Sequence, residues 1–162
     1  KTAAAMMLKG LTAQYLIRQI HKVSIDDTIL IHAAAGGVGL IVCQWAKALG
    51  ATVIGTVSTE EKAVLARANG CDYPIIYTKE DFSKRVMEIT NGKKLPVVFD
   101  SIGKDTFEKS LDCLQPLGKM VSFGQASGPV PPVDLGIFAP LLSKNPTSGF
   151  WDFCSKGVFA LY

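Results

Sequence analysis

Gly36, Gly37 and Gly39 stand in the stretch Thr28-Ile-Leu-Ile-His32-Ala-Ala-Ala-Gly36-Gly37-Val38-Gly39-Leu-Ile-Val-Cys-Gln-Trp45. The order is a buried strand, a tight turn and the first turns of a helix. Where side chains are absent, a backbone can closely approach the linked phosphates of a dinucleotide. The unpaired N–H groups and positive dipole end of the helix then face those charges. The spacing fits Gly-x-Gly-x-x-Gly with one departure, because Ala34 stands where the first glycine is expected. A bare glycine triplet of this kind is weak evidence, and a turn packing a helix tightly on a strand without any ligand is the alternative. Its surroundings strengthen it.

Residues 37–49 read as a helix with Ile41, Trp45, Ala48 and Leu49 on one face and Gly50 as its stop. The β-branched run Thr52-Val-Ile-Gly-Thr-Val57 follows, completing a βαβ unit with parallel strands. Alternation then continues. Residues 60–69 form a helix closed by Gly70, and residues 74–77 a short strand. Thr78 and Asp81 outline a capping box, with Asp in the usual Glu or Gln place, for a helix running to about residue 90. A strand over 96–100, a helix over 105–114 carrying Phe107, Leu111 and Leu114, and a strand over 119–123 complete the series.

Before the series, residues 2–22 are helical in composition, with Leu8, Leu11, Tyr15 and Ile20 among the apolar positions. After it come a Pro- and Gly-rich loop over 125–133 and a short helix over 134–142. From Lys144 the pattern degrades, and Phe150-Trp-Asp-Phe153 has no clear period. This order specifies an α/β fold: a Rossmann-type doubly wound parallel β-sheet with helices on both faces, as one domain over residues 1–162.

Dinucleotide folds that take NAD place Asp or Glu at the end of the second strand, on the adenosine ribose. Here the strand end is followed by Ser58-Thr59-Glu60-Glu61-Lys62. A hydroxyl and a lysine within one helical turn suit a ribose 2′-phosphate, which favours NADPH. Ser58 with Glu61 also makes a capping box, Lys62 also reads as a solvated charge, and either glutamate could approach a free ribose. His21 and His32 lack a nucleophile and carboxylate partner and read as structural. Asp100-Ser101 and Phe123-Gly124 end the fourth and fifth strands on the edge where such sheets bind ligands. Tyr77 ends the third strand and could reach the adenosine side, core packing being the other account of Tyr77 and Phe123.

Composition narrows the partners. Apolar residues make up 48% of the 162 residues and charged ones 19%, a globular balance. Net charge is +3 with the basic residues scattered, so no nucleic-acid surface is expected. No run approaches a membrane span and no signal-peptide pattern opens the chain, so no membrane and a cytoplasmic setting are expected. Cys43, Cys71, Cys113 and Cys154 are far apart and make no C-x-x-C, which argues against both a zinc cluster and a disulfide framework.

Four blocks then coincide in order: His32-Ala-Ala-Ala-Gly-Gly-Val-Gly-Leu40, Trp45-Ala-Lys-Ala-Leu-Gly-Ala51, Phe99-Asp-Ser-Ile-Gly103, and Ser110-Leu-Asp-Cys-Leu114 followed by Met120-Val-Ser-Phe-Gly124. Together they resemble the quinone oxidoreductases, the zinc-free, zeta-crystallin-like branch of the medium-chain dehydrogenases/reductases, over roughly residues 2–138. The resemblance implies NADPH as cofactor and quinones as the small-molecule substrate. It also implies a pyrophosphate site at Gly36, Gly37 and Val38, and a 2′-phosphate site at Ser58, Lys62 and Tyr77. Thr12, Ser101, Phe123, Gly124 and Gln125 would line the ribose and nicotinamide side. Zinc-dependent relatives carry a ligand cysteine just before the glycine matching Gly10; this chain has Lys9 there, and no metal is expected.

The resemblance further implies that the chain is a cofactor domain, with a GroES-like catalytic domain N-terminal to it. It also implies a homodimer joined through the last sheet strand. That strand, and the Arg-Pro element after it, are not recognisable in residues 145–162. The expected activity is NADPH-dependent quinone reduction by direct transfer from the nicotinamide. The alternatives are reduction of an activated C=C bond in an enone or alkenal, and a nucleotide-binding module with no catalysis of its own.

Overall fold

A computed structural model describes residues 2–141 and the short strand at 159–161. The strands are β1 (Thr28–Ile31), β2 (Thr52–Val57), β3 (Tyr73–Ile76), β4 (Leu95–Asp100), β5 (Leu114–Ser122) and β6 (Phe159–Leu161). They form one sheet in the order β3-β2-β1-β4-β5-β6, every pair parallel. This is the doubly wound arrangement expected from the alternation of elements. Each connection from β1 to β5 must carry the chain back across the sheet, so a helix fills it. The helices are α1 (Thr2–Gln14), α2 (Gly37–Ala48), α3 (Glu60–Ala68), α4 (Phe82–Ile89) and α5 (Phe107–Asp112).

The two faces follow from the pleat. Ile29, Ile31, Val53, Val97, Phe99 and Val121 point into one core with residues of α1, α2 and α3. Leu30, Ile54, Val98 and Met120, each one residue out of step, enter a second core with Phe82 and Val86 of α4 and Phe107 and Leu111 of α5. A sheet buried on both faces needs near-continuous apolar strands, and β1 and β4 are such runs.

Several expectations are corrected. The first helix is regular only to Gln14 and continues as a π-helical turn, Tyr15–Ile20, where Lys119 Nζ donates to the Ile20 carbonyl at 2.9 Å. Leu8 and Leu11 are exposed on it, while Ala13, Leu16 and Ile17 enter the core. In α2 the buried stripe is Gly39, Val42, Cys43 and Ala46; Ile41, Trp45 and Leu49 pack at its margin and Ala48 faces solvent. Glycine-sized and alanine-sized positions bring α2 down close to the sheet, so the large residues are displaced to the flanks.

Helix α4 is capped by Asp81, which accepts from Ser83 N at 3.0 Å and Lys84 N at 3.5 Å, and not by Thr78, whose hydroxyl donates to Ser58 O at 3.0 Å. Helix α5 is shorter than the expected 105–114, since Leu114 already pairs with Leu95 in β5. The segment Leu135–Leu141 is a 3₁₀-helix. A sixth strand exists, and β6 extends the sheet beside Met120, Val121 and Ser122. Phe150-Trp-Asp-Phe153 lies outside the described residues.

Candidate dinucleotide site

Because β1 to β5 are parallel, their C-terminal ends, followed by His32, Ser58, Tyr77, Ser101 and Phe123, lie along one edge of the sheet. The residues expected there are thereby assembled from sequence positions far apart. The chain order reverses between β1 and β4, the position where open sheets of this kind leave a crevice.

The glycine turn is built by backbone contacts. Gly36 N donates to Ala33 O at 2.8 Å, and Ala34 N donates to Thr56 O at 3.0 Å. The left-handed conformation this turn requires falls on Ala33, φ +54°, not on Ala34. That explains the missing first glycine: position 34 demands no positive φ, and the strain, about 1 kcal/mol or more, sits one residue earlier. Gly36 is the extended N-cap of α2 and makes no side-chain cap. The first intrahelical bond is Leu40 N to Gly36 O, 2.9 Å, so the N–H groups of Gly37, Val38 and Gly39 precede the helical ladder. By contrast Thr59 caps α3 and Asp81 caps α4. Helix α2 is left open to an anion.

The turn also has room for one. The three atoms nearest a Cβ built on Gly37 are Lys9 Cδ, Cε and Nζ, each at 2.7 Å. The atoms nearest that position belong to the end of a flexible side chain. A Cβ on Gly39, in contrast, would lie 2.3 Å from Ala33 O and 2.7 Å from Ala34 O. The two glycines therefore have different duties: Gly39 lets the helix reach the turn, and Gly37 leaves the space above it.

At the end of β2 the capping assignment changes. Thr59, not Ser58, caps α3, its hydroxyl accepting from Lys62 N at 3.3 Å. Ser58 Oγ is instead met by Lys62 Nζ at 3.1 Å. The nearby acids are engaged elsewhere. Glu60 pairs with Lys79 at 2.6 Å, and a hydrogen bond from Thr59 holds the Glu61 carboxyl below its ordinary range. Thr78 ties the β3 end to Ser58, and Tyr77, itself bonded through N to Val57 O at 3.1 Å, is 53% exposed next to this cluster. Hydroxyl and ammonium thus meet at the end of β2, with Tyr77 on the neighbouring strand end, while Glu60 is paired with Lys79 and Glu61 with Thr59.

On the other side of β1, the loops after β4 and β5 meet. Ala126 N donates to Ser101 O at 3.1 Å, and a Cβ on Gly124 would come within 3.0 Å of the same oxygen. Buried Asp100 holds this loop by accepting from Ile102 N, Gly103 N and Thr106 Oγ1 at 2.7, 3.2 and 2.8 Å. Phe123 packs part-buried against the core and Gln125 is exposed. Thr12 comes from α1, with its hydroxyl donated to Leu8 O at 2.8 Å, leaving oxygen lone pairs to accept.

A cavity of about 350 Å³ opens between these loops, with His32 and Thr56 at its floor, Phe82, Ile102 and Thr106 among its walls and Tyr77 at its lip. Phe82, Ile102 and Thr106 were not singled out from sequence. Each follows the C-terminal end of a strand by only a few residues, which is the signal that could have found them.

Both histidines have partners that the sequence reading did not assign: His21 Nε2 lies 3.2 Å from Asp27 Oδ2, and His32 is held between two hydroxyls. Ser110 Oγ donates to Thr106 O at 2.7 Å and so accepts from His32 Nε2–H at 2.8 Å, while His32 Nδ1 accepts from Thr56 Oγ1 at 2.9 Å. Burial dominates its acidity and lowers the pKa to about 4, nearby Asp100 opposing this in part. The unfolded chain then takes up a proton between pH 6.5 and 4 that the folded chain refuses, so stability falls as pH drops through that window and is unaffected by His32 above it. Urea unfolding at pH 7 and pH 4.5 should show a loss from this residue on the order of 1–3 kcal/mol. A His32→Asn variant, less stable at pH 7, should show a correspondingly flatter acid limb; an unchanged limb would contradict the burial account.

A sequence profile of the zinc-binding dehydrogenases matches residues 37–151. The chain belongs to the zinc-binding dehydrogenase family. Within that family it is 59% identical over 150 residues to a quinone oxidoreductase of Pseudomonas aeruginosa, covering 91% of this chain and 46% of that protein. It is 54% identical over 157 residues to a 2-haloacrylate reductase of a Burkholderia species, covering 94% and 46%. The Escherichia coli quinone oxidoreductase, solved in complex with NADPH, superposes with a TM-score of 0.84 at 56% identity, covering 86% of this chain and 43% of that one. The chain thus spans about half the length of the zinc-binding dehydrogenase relatives it matches. That family likeness agrees with the doubly wound sheet, its open edge and the glycine turn.

Proposed function

We propose that this chain binds NADPH along the C-terminal edge of its sheet, and that the protein carrying it reduces quinones without a metal. The observation that carries the cofactor choice is the β2 end, where Lys62 and Ser58 are paired while Glu60 and Glu61 are engaged by other groups. The N–H groups after Gly36 face the diphosphate, with Gly37 and Val38 closest; Ser58, Lys62 and Tyr77 receive the 2′-phosphate. The cavity beside Tyr77, about 350 Å³, is large enough for the adenine and takes it. Thr12, Ser101, Phe123, Gly124 and Gln125 flank the ribose and nicotinamide. NADPH, when bound, supplies the hydride; the chain's part is to hold the nicotinamide in one orientation. Lys9, at the place of a zinc-ligand cysteine in zinc-dependent relatives, supports the metal-free reading, since an ammonium is no ligand.

The reading extends to a cytoplasmic homodimer joined at β6, supported by β6 being the outer strand of the sheet. No described helix is long and apolar enough to cross a membrane. The test is turnover of a quinone and an enone panel by the full protein that carries this chain, with NADPH as donor. Quinone turnover is expected. Efficient enone or haloacrylate reduction without quinone turnover would overturn the substrate assignment, and nucleotide binding without any turnover would leave a binding module.

Lys62→Ala should weaken NADPH binding by about 1.5–3 kcal/mol, as for a charge-assisted hydrogen bond, and leave NADH nearly unchanged. Calorimetric titration with both nucleotides checks it. Equal losses would remove Lys62 from the 2′-phosphate.

A further inference from the structure

Lys9 lies in α1, which packs on α2, and its side chain reaches across to the glycine turn. Its Cδ, Cε and Nζ are the atoms nearest the place a Gly37 Cβ would take, at 2.7 Å each. The ammonium of this exposed side chain therefore lies beside the open N-terminus of α2. Such a position is electrostatically unfavourable for a cation, because the helix end is itself positive. No described carboxylate offsets it: the ion pairs of the described residues involve other lysines, Lys47, Lys79 and Lys109, together with Arg85 and His21. Lys62 Nζ, by comparison, has the Ser58 hydroxyl.

A cation and a bare helix N-terminus converging on a space that only a flexible tail fills make a site whose missing member is an anion. We propose that Lys9 is a positioning residue for the cofactor's diphosphate. Its ammonium rests over Gly37 in the free protein and swings aside to pair with the diphosphate when the dinucleotide enters. This rests on the NADPH reading above and adds a second cation to it. Lys62 serves the phosphate that distinguishes NADPH from NADH, and Lys9 serves the diphosphate that both share. The pairing has a geometric basis in the long lysine stem, since the amine can leave the turn by rotating about its terminal bonds without moving α1.

The experiment is equilibrium titration of the intact chain with NADPH and with NADH, for the unsubstituted protein, Lys9→Met and Lys9→Arg. Methionine keeps the apolar stem and removes the charge. Lys9→Met should weaken both nucleotides by the same factor, about tenfold or more, because a charge-assisted hydrogen bond is lost from a shared group. Lys9→Arg should recover most of that loss. The dependence of log Kd on log salt should become shallower in Lys9→Met, a readout that a merely structural role would not move. The melting temperature without nucleotide should be unchanged or raised in Lys9→Met, since the charge opposes the helix end. Unaltered affinity for both nucleotides would overturn the assignment, as would a loss confined to NADPH. If the unsubstituted chain binds neither nucleotide, the NADPH reading itself fails, and the Lys9 assignment with it.

Discussion

Gly37→Val is expected to abolish binding of NADPH and of NADH alike while the domain still folds. Gly37 is the first residue of α2 and is not among the residues with positive φ, so a β-branched side chain meets no backbone strain there. The atoms nearest the new Cβ belong to the movable end of Lys9. Stability should therefore change by less than about 1 kcal/mol, the range of an exposed first-turn substitution. The isopropyl group, however, fills the space proposed for the diphosphate and blocks its approach to the N–H groups of the turn. A loss of a hundredfold or more, about 3 kcal/mol, is expected for each nucleotide. Thermal melting with and without NADPH measures both parts at once. A folded variant that still gains stability from NADPH would place the phosphates elsewhere.

Gly39→Ala, one methyl group two residues away, acts in the opposite way. Its Cβ would sit 2.3 Å from Ala33 O and 2.7 Å from Ala34 O, and both neighbours are backbone atoms of the strained turn. Neither can rotate aside, so α2 must lift from the sheet and open the core around Ala34, Val42 and Ala46. Overpacking against backbone at this closeness is expected to cost about 3–5 kcal/mol, above the usual range for an added methylene. Much of a small domain's stability is of that order. Denaturant unfolding checks it: a Gly39→Ala protein within about 1 kcal/mol of the parent would show that the helix can shift freely. Together the two variants separate binding from folding at two positions of one turn.

What local sequence determined is the element order and the glycine turn. Apolar periodicity marks α2 and the β-branched run marks β2, while Gly50, Gly70 and Gly92, with φ of +86°, +95° and +76°, stop helices where an L side chain would be strained. Those preferences act within a few residues, and so they are readable from a single chain. The likeness of four ordered blocks to quinone oxidoreductases likewise required no structure, and it agrees with the family match.

Other features were set by partners distant in sequence. Thr59 rather than Ser58 caps α3, a choice between adjacent hydroxyls that the backbone angle at the strand end decides. The Phe159–Leu161 strand has no pattern of its own; pairing with Met120, Val121 and Ser122 makes it a strand. Ala33 takes the left-handed conformation, φ +54°, beside Ala34, whose N–H donates to Thr56 O on the neighbouring strand. The cavity walls, the engagement of Glu60 by Lys79 and the reach of Lys9 over Gly37 all join residues on separate elements. Local sequence determined that a glycine turn would open α2. Tertiary packing decided which charges stand around it, because electrostatic contact depends on distance in space and not along the chain.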